Sequence, residues 1–165
     1  MCLDEYNNHI LKKNEAKVAK DIAKNSCSPT TAVITMDLQS VLLSPNIKAS
    51  AVYYKQKLKV HDFTFYQLND RKVDLYVWHE GEGSVSANEL VSCIISHLHS
   101  LSNDIDKVIL ISDGCGYQNR NKTLSSALSD FAKARSVTVE QLILERGHTM
   151  MEADSVHFTL EQVQD

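Results

Sequence analysis

At 165 residues the chain is one domain's worth, long enough to bury a core without disulfide or metal staples. Its 43% hydrophobic and 23% charged residues are those of an ordinary soluble globular protein. No run of about 18 apolar residues occurs, which excludes a helical membrane span. The polar opening MCLDEYNNHILKKNEAK lacks the apolar stretch of a secretory signal. Cys2, Cys27, Cys93 and Cys115 are scattered, with no pair at zinc-binding spacing. The expectation is an intracellular protein, nuclear or cytoplasmic and not secreted, with reduced thiols. The formal net charge of −4 argues at first against nucleic acid. A carboxylate cluster that loads metal contributes such charge, however, and the lysines crowd residues 12–24 and 48–59. Charge alone decides nothing.

In chain order, residues 5–24 predict a charged helix with a thin apolar stripe of Ile10, Val18 and Ile22, a solvated helix or arm. Residues 26–31, with Pro29, read as a linker. AVITMDL is short and mostly apolar, as in a strand buried on both faces. SAVYYKQKLKV reads as a helical turn that then extends. DFTFYQL alternates, with Phe63, Phe65 and Gln67 on one face and Thr64, Tyr66 and Leu68 on the other. Turn chemistry at Asn69-Asp70-Arg71 joins it to KVDLYVWHE, so the two form an antiparallel pair. From Ser86, SANELVSCIISHLHSL repeats its apolar residues at helical spacing. KVILIS is a buried strand, TLSSALSDFAKAR a helix, VEQLILER a strand and MEADSVHFTLEQV a last helix. The order β-β-β-α-β-α-β-α predicts a mixed five-stranded α/β sheet flanked by helices, the order of the ribonuclease H fold. Residues 1–30 form the N-terminal helix and linker, and 31–165 the domain itself.

Two aspartates end apolar strands: Asp37 after VITM and Asp113 after VILIS. A buried strand seldom carries an aspartate unless something compensates its desolvation. If the two strands are parallel neighbours, both carboxylates meet at one sheet edge. Such charges resist ionising together without a cation between them. Hard Mg²⁺ or Mn²⁺ suits carboxylate oxygen. The last helix offers Glu152, Asp154, His157 and Glu161, with Asp154 and His157 sharing a face at i and i+3. Glu152 falls about 200° around the axis from Asp154, so only one of them readily faces that edge, and Asp154 is preferred. Glu89 near the helix start at Ser86 is a fourth acid. Four such acids hold two ions about 4 Å apart, the geometry of in-line phosphoryl displacement. Each acid also has a plain alternative: strand-end turns for Asp37 and Asp113, a dipole-favoured first-turn residue for Glu152, a surface helix residue for Glu89.

SDGCGYQNRNK is the most unusual stretch. Its glycines let the backbone approach a ligand closely. Gln118, Asn119 and Asn121 suit phosphate, sugar or base edges, and Arg120 and Lys122 suit phosphates. Helix capping is the competing role, above all for Asn121. The GxxxxGK[ST] pattern is absent, so a P-loop is excluded. His148 either orients a carboxylate or touches the scissile phosphate at the catalytic centre, with a structural, capping role as the competing reading. Cys115 lies near the acids without a base beside it in sequence, which makes a thiol nucleophile unattractive.

MDLQSVLLSPNIKASAVYYKQKL, WHEGEGSVSANELVSC, SDGCGYQNRNK and GHTMMEADSVHFTLE resemble a transposon-associated domain family of the ribonuclease H-like superfamily. The resemblance covers nearly everything from Ala32 onward and the lysine-rich helix before it. It implies metal ligation by Asp37, Asp113 and Asp154, with Glu89 in the place of the helix glutamate of ribonuclease H and Holliday-junction resolvases. Transposases and integrases place glutamate on the last helix, where Asp154 stands here, so resolvase-like and transposase-like chemistry both stay open. The resemblance further implies a catalytic domain without the separate DNA-binding domains such proteins carry. The expected function is a metal-dependent nuclease or polynucleotidyl transferase, with two Mg²⁺ or Mn²⁺ ions and a nucleic-acid partner, DNA favoured over RNA. No membrane partner is expected, and a homo-oligomer is compatible with the reading. The alternative is a domesticated, non-catalytic binding or scaffolding module of the same fold.

Overall fold

The computed structural model describes residues 3–39, 41–44, 57–144 and 151–163. In chain order these form α1 (Leu3–Asn25), β1 (Thr31–Leu38), β2 (Leu42–Ser44), β3 (Leu58–Gln67) and β4 (Val73–His79). There follow α2 (Ala87–Ser100), β5 (Lys107–Ser112), the one-turn α3 (Gly116–Asn119), α4 (Lys122–Arg135), β6 (Thr138–Ile143) and α5 (Glu152–Val163).

The strands form one mixed sheet of six. β1 lies parallel to β5, and β5 parallel to β6; on its other side β1 is antiparallel to β3, which is antiparallel to β4. The sixth strand, β2, was not expected from the sequence. Val60 of β3 is paired with both Leu42 and His79, and Phe63 with both Leu38 and Tyr76. β2 therefore prolongs the edge of β3 that β1 occupies. The chain between Leu38 and Leu42 has one residue more than the facing chain between Val60 and Phe63, a bulge that separates β2 from β1. The extended part of SAVYYKQKLKV, from Leu58, is the start of β3 rather than an element of its own; residues 50–56 of that stretch lie outside the described residues.

Pleating sorts β1 by parity. Ala32, Ile34 and Met36 join Phe63, Phe65, Val108 and Leu110 under α2 and α4, which contribute Leu90, Ile94, Leu98, Leu124, Leu128 and Phe131. Each large side chain buried here stabilises the fold by roughly 1.5–3 kcal/mol. Val33, Ile109 and Ile111 belong to the other face, with Ala16 and Ala23 of α1, Ala153 of α5 and Met151 just before it. The expected apolar stripe on α1 is corrected here. Val18 and Ile22 are 57% and 62% exposed, and alanines make the contact because a small side chain lets the helix lie close to the sheet. Lys20 Nζ also meets Glu152 Oε2 at 2.9 Å, tying α1 to α5.

The turn expected at residues 69–71 closes the β3–β4 hairpin, with Arg71 at φ 63° and its N–H on Gln67 O at 2.9 Å. Asn69 reaches away from the turn, donating to Ser28 O and Thr31 O and accepting from Val33 N–H. It so pins the linker to the sheet. Among the described residues no helix is long and apolar enough to cross a membrane.

Candidate metal centre

The C-terminal ends of β1 and β5 supply the first two acids. The parallel pairing ends with Thr35 facing Ile111, and Asp37 and Asp113 each follow two residues later, near enough for the charge of Asp113 to act on Asp37. By parity both leave the sheet on the α5 face. The third acid comes from the first turn of α5. Met151 N–H donates to Asp154 Oδ2 at 2.8 Å, so Asp154 closes its own helix start. The same helix turns His157 inward, where it is buried. One ligand atom from each of Asp37, Asp154 and His157 lies within 4.8 Å of the others.

The electrostatics fit that grouping. The Asp37 carboxyl is pushed up to about 7, first by burial and then by the charges of Asp113 and Asp154, against a smaller opposing hydrogen bond from Leu38 N–H. Desolvation and like charge both penalise its ionised form. A divalent cation removes both penalties, and oxygen and imidazole donors together suit Mg²⁺, Mn²⁺ or a softer first-row ion. The residues present therefore fit such an ion.

Asp113 is held on its other side by the SDGCGYQN turn. Its Oδ1 accepts from Cys115 N–H at 3.1 Å and from Asn119 Nδ2 at 2.8 Å, and Asn119 Nδ2 also reaches Asp113 O. Asn119 is thus a buried clamp on the acid, not an exposed group reading a polynucleotide. Asn121 is the N-cap of α4, its Oδ1 accepting from Leu124 N–H at 2.8 Å, and its Nδ2 donates to Gln118 O. Arg120 and Lys122 are exposed and line a shallow depression with Ser125 and Gln141. Only the charged members of the expected nucleic-acid loop thus stand toward solvent, while Gln118 is half-buried.

Glu89 does not join the acids. Its carboxylate accepts from Ser84 Oγ at 3.1 Å and from Ser86 Oγ, the N-cap of α2, which itself accepts from Asn88 N–H. The Ser86 hydroxyl holds the Glu89 carboxyl below its usual range. Glu152 also stands apart, engaged by Lys20 and Lys24 of α1. Of the two acids at the start of α5, Asp154 is the one that stands beside Asp37 and His157. His148 lies outside the described residues.

Two residues of β3 went unremarked in the sequence. Asp62 and Thr64 emerge on the same face as Asp37, Thr64 standing directly opposite it. Thr64 Oγ1 donates to Asp62 Oδ1 at 3.3 Å and lies 2.9 Å from His157 Nε2. Burial raises the Asp62 carboxyl, while His157 and Thr64 oppose that shift. The signal was in DFTFYQL itself: acid and hydroxyl at i and i+2 on a strand whose other face carries two phenylalanines. No protein-family model matches the chain and no curated protein matches it, so the functional reading rests on this geometry and its chemistry.

Proposed function

We propose that this chain is a ribonuclease H-like domain that holds divalent metal on Asp37, Asp113 and Asp154 to cut or transfer nucleic-acid phosphodiesters. The observation that carries the reading is the meeting of Asp37 and Asp154 with His157, with the charges of Asp113 and Asp154 and its own burial raising Asp37 to about 7. Strand order supports it: with β2 taken as a continuation of β1, the sheet runs β4-β3-β1-β5-β6, antiparallel on one side of β1 and parallel on the other. That is the arrangement expected of the ribonuclease H fold.

When bound, Mg²⁺ or Mn²⁺ supplies Lewis acidity and charge neutralisation at the reacting phosphorus. The chain's own residues do the rest. Asn119 and the Cys115 N–H fix the Asp113 carboxylate, and the start of α5 fixes Asp154. Arg120 and Lys122, on the loop that follows Asp113, take the phosphates of the strand beside the centre. DNA is the proposed substrate, hydrolysis or strand transfer the proposed reaction, and the nucleus or cytoplasm the proposed site of action.

The test compares two neighbours on one helix. Asp154→Asn keeps the cap acceptor for Met151 N–H but removes the charge, and should lower Mg²⁺- or Mn²⁺-dependent cleavage at least about 100-fold. Glu152→Gln should keep most of it. In parallel, Mn²⁺ should raise the melting temperature of the native protein and not that of Asp113→Asn. Arg120→Ala with Lys122→Ala should flatten the salt dependence of DNA binding by a slope of about 2. Absence of any metal response would return the chain to a non-catalytic module.

A further inference from the structure

The geometry points to His157 as a nitrogen ligand of the same ion, with its ring held in the ligating orientation by Thr64 and Asp62. This rests on the metal reading above and adds to it a ligand, two positioning residues and a class of ion. A ring nitrogen of His157 lies within 4.8 Å of carboxylate oxygens of both Asp37 and Asp154. On the ring's other side Thr64 Oγ1 stands 2.9 Å from Nε2 and 3.3 Å from Asp62 Oδ1, so the hydroxyl links the ring to a second carboxylate and fixes its orientation.

Nδ1 is the atom that faces the acids, 3.8 Å from Asp37 Oδ2. That distance is too long for a hydrogen bond. It is ordinary for two ligands of one ion, since donors each about 2.1 Å from a metal stand about 3–4 Å apart. The buried carboxylate beyond Thr64 completes the pattern in which an outer acid, here through a hydroxyl, orients a ligating imidazole and raises its basicity.

An imidazole in the donor set changes the preferred ion. Three carboxylates suit Mg²⁺, whereas a nitrogen donor favours Mn²⁺ and later first-row ions. Asp62 and Thr64 are positioning residues here, since neither need touch the ion.

Pulsed electron paramagnetic resonance of the Mn²⁺-loaded protein reads the ligand directly. The native protein should show modulation from one directly bound ¹⁴N, absent in His157→Gln. Titration calorimetry should give native Mn²⁺ affinity at least 10-fold above Mg²⁺, a ratio that His157→Gln compresses toward unity. Thr64→Val should weaken Mn²⁺ binding about 10-fold, while Thr64→Ser, which keeps the hydroxyl, should bind as the native protein does. Circular dichroism selects folded variants for these comparisons, and the nitrogen signal of the native protein decides the matter without any variant. Mn²⁺ bound with no nitrogen coupling overturns this inference and leaves the three-acid site standing. No Mn²⁺ binding at all overturns both. Nitrogen coupling in a protein that cleaves nothing upholds the ligand and sinks the nuclease.

Discussion

The two faces of the sheet each bury a histidine, and they treat it in opposite ways. His97 of α2 lies in the apolar layer, stacked on Phe65 at 4.4 Å between ring centroids with Tyr76 edge-on to it. Neither of its ring nitrogens makes a hydrogen bond, although Nδ1 stands 3.4 Å from Asp74 Oδ2. Burial lowers its pKa, against the pull of Asp74. His157 on the opposite face is bonded to Thr64 and turned toward Asp37. One ring serves as an aromatic spacer in a hydrocarbon layer, the other as a polar group inside a network. The difference teaches that burial of a histidine says little until its neighbours are known.

Breaking the apolar side should cost most. His97→Ala empties a core position and should destabilise the protein by about 3 kcal/mol in denaturant titration, with the Asp37–Asp154–His157 cluster on the far face unaffected. His97→Leu refills the space and sharpens the contrast through pH. A histidine whose folded pKa lies below its ordinary 6.5 binds protons more readily when unfolded. The native protein should therefore lose stability as the pH falls below 6.5, and His97→Leu should lose less. Equal pH profiles for the two proteins would show that His97 is not buried as a neutral ring.

On the polar side the sign reverses. Asp37 has its folded pKa raised from 3.8 to about 7, so the folded state holds the extra proton. Without metal, its contribution is fully present below 3.8 and lost as the pH rises through about 7. Asp37→Asn should consequently stabilise the metal-free protein at pH 8 by about 2 kcal/mol and far less at pH 4. The same variant should lose stabilisation by Mn²⁺. A loss of melting temperature in Asp37→Asn at pH 8 without metal would mean that the carboxylate is not strained by its neighbours.

The smallest effect belongs to an acid outside both comparisons. Glu89→Gln should weaken the α2 cap, lowering the melting temperature by less than any variant above, and leave Mn²⁺ affinity unchanged. A tenfold fall in Mn²⁺ affinity would put Glu89 back among the ligands.

Much of the architecture was legible in the chain. Strands such as AVITM and KVILI declare themselves by unbroken β-branched and aliphatic residues, and α2 by apolar residues at helical spacing. Asp37 and Asp113 could be singled out because an acid at the end of such a strand breaks the local pattern. β2 was illegible, since three residues after a bulge carry no periodicity. The α1 contact was illegible for a different reason: hydrophobicity pointed to Val18 and Ile22, whereas the distance to the sheet favoured alanine.

Sequence by itself determined the order of the five longer strands and the long helices, the two strand-end aspartates and the helical spacing that separates Asp154 from Glu152. Only the tertiary structure decided which polar groups meet. Asp62 and Thr64 lie about 90 residues before His157, and their contact depends on β3 pairing with β1 and on α5 crossing that pair. Spacing along one helix or strand fixes a direction in space, because the backbone repeat is rigid over a few turns. Between elements the directions are set by packing and register, and no local pattern encodes them.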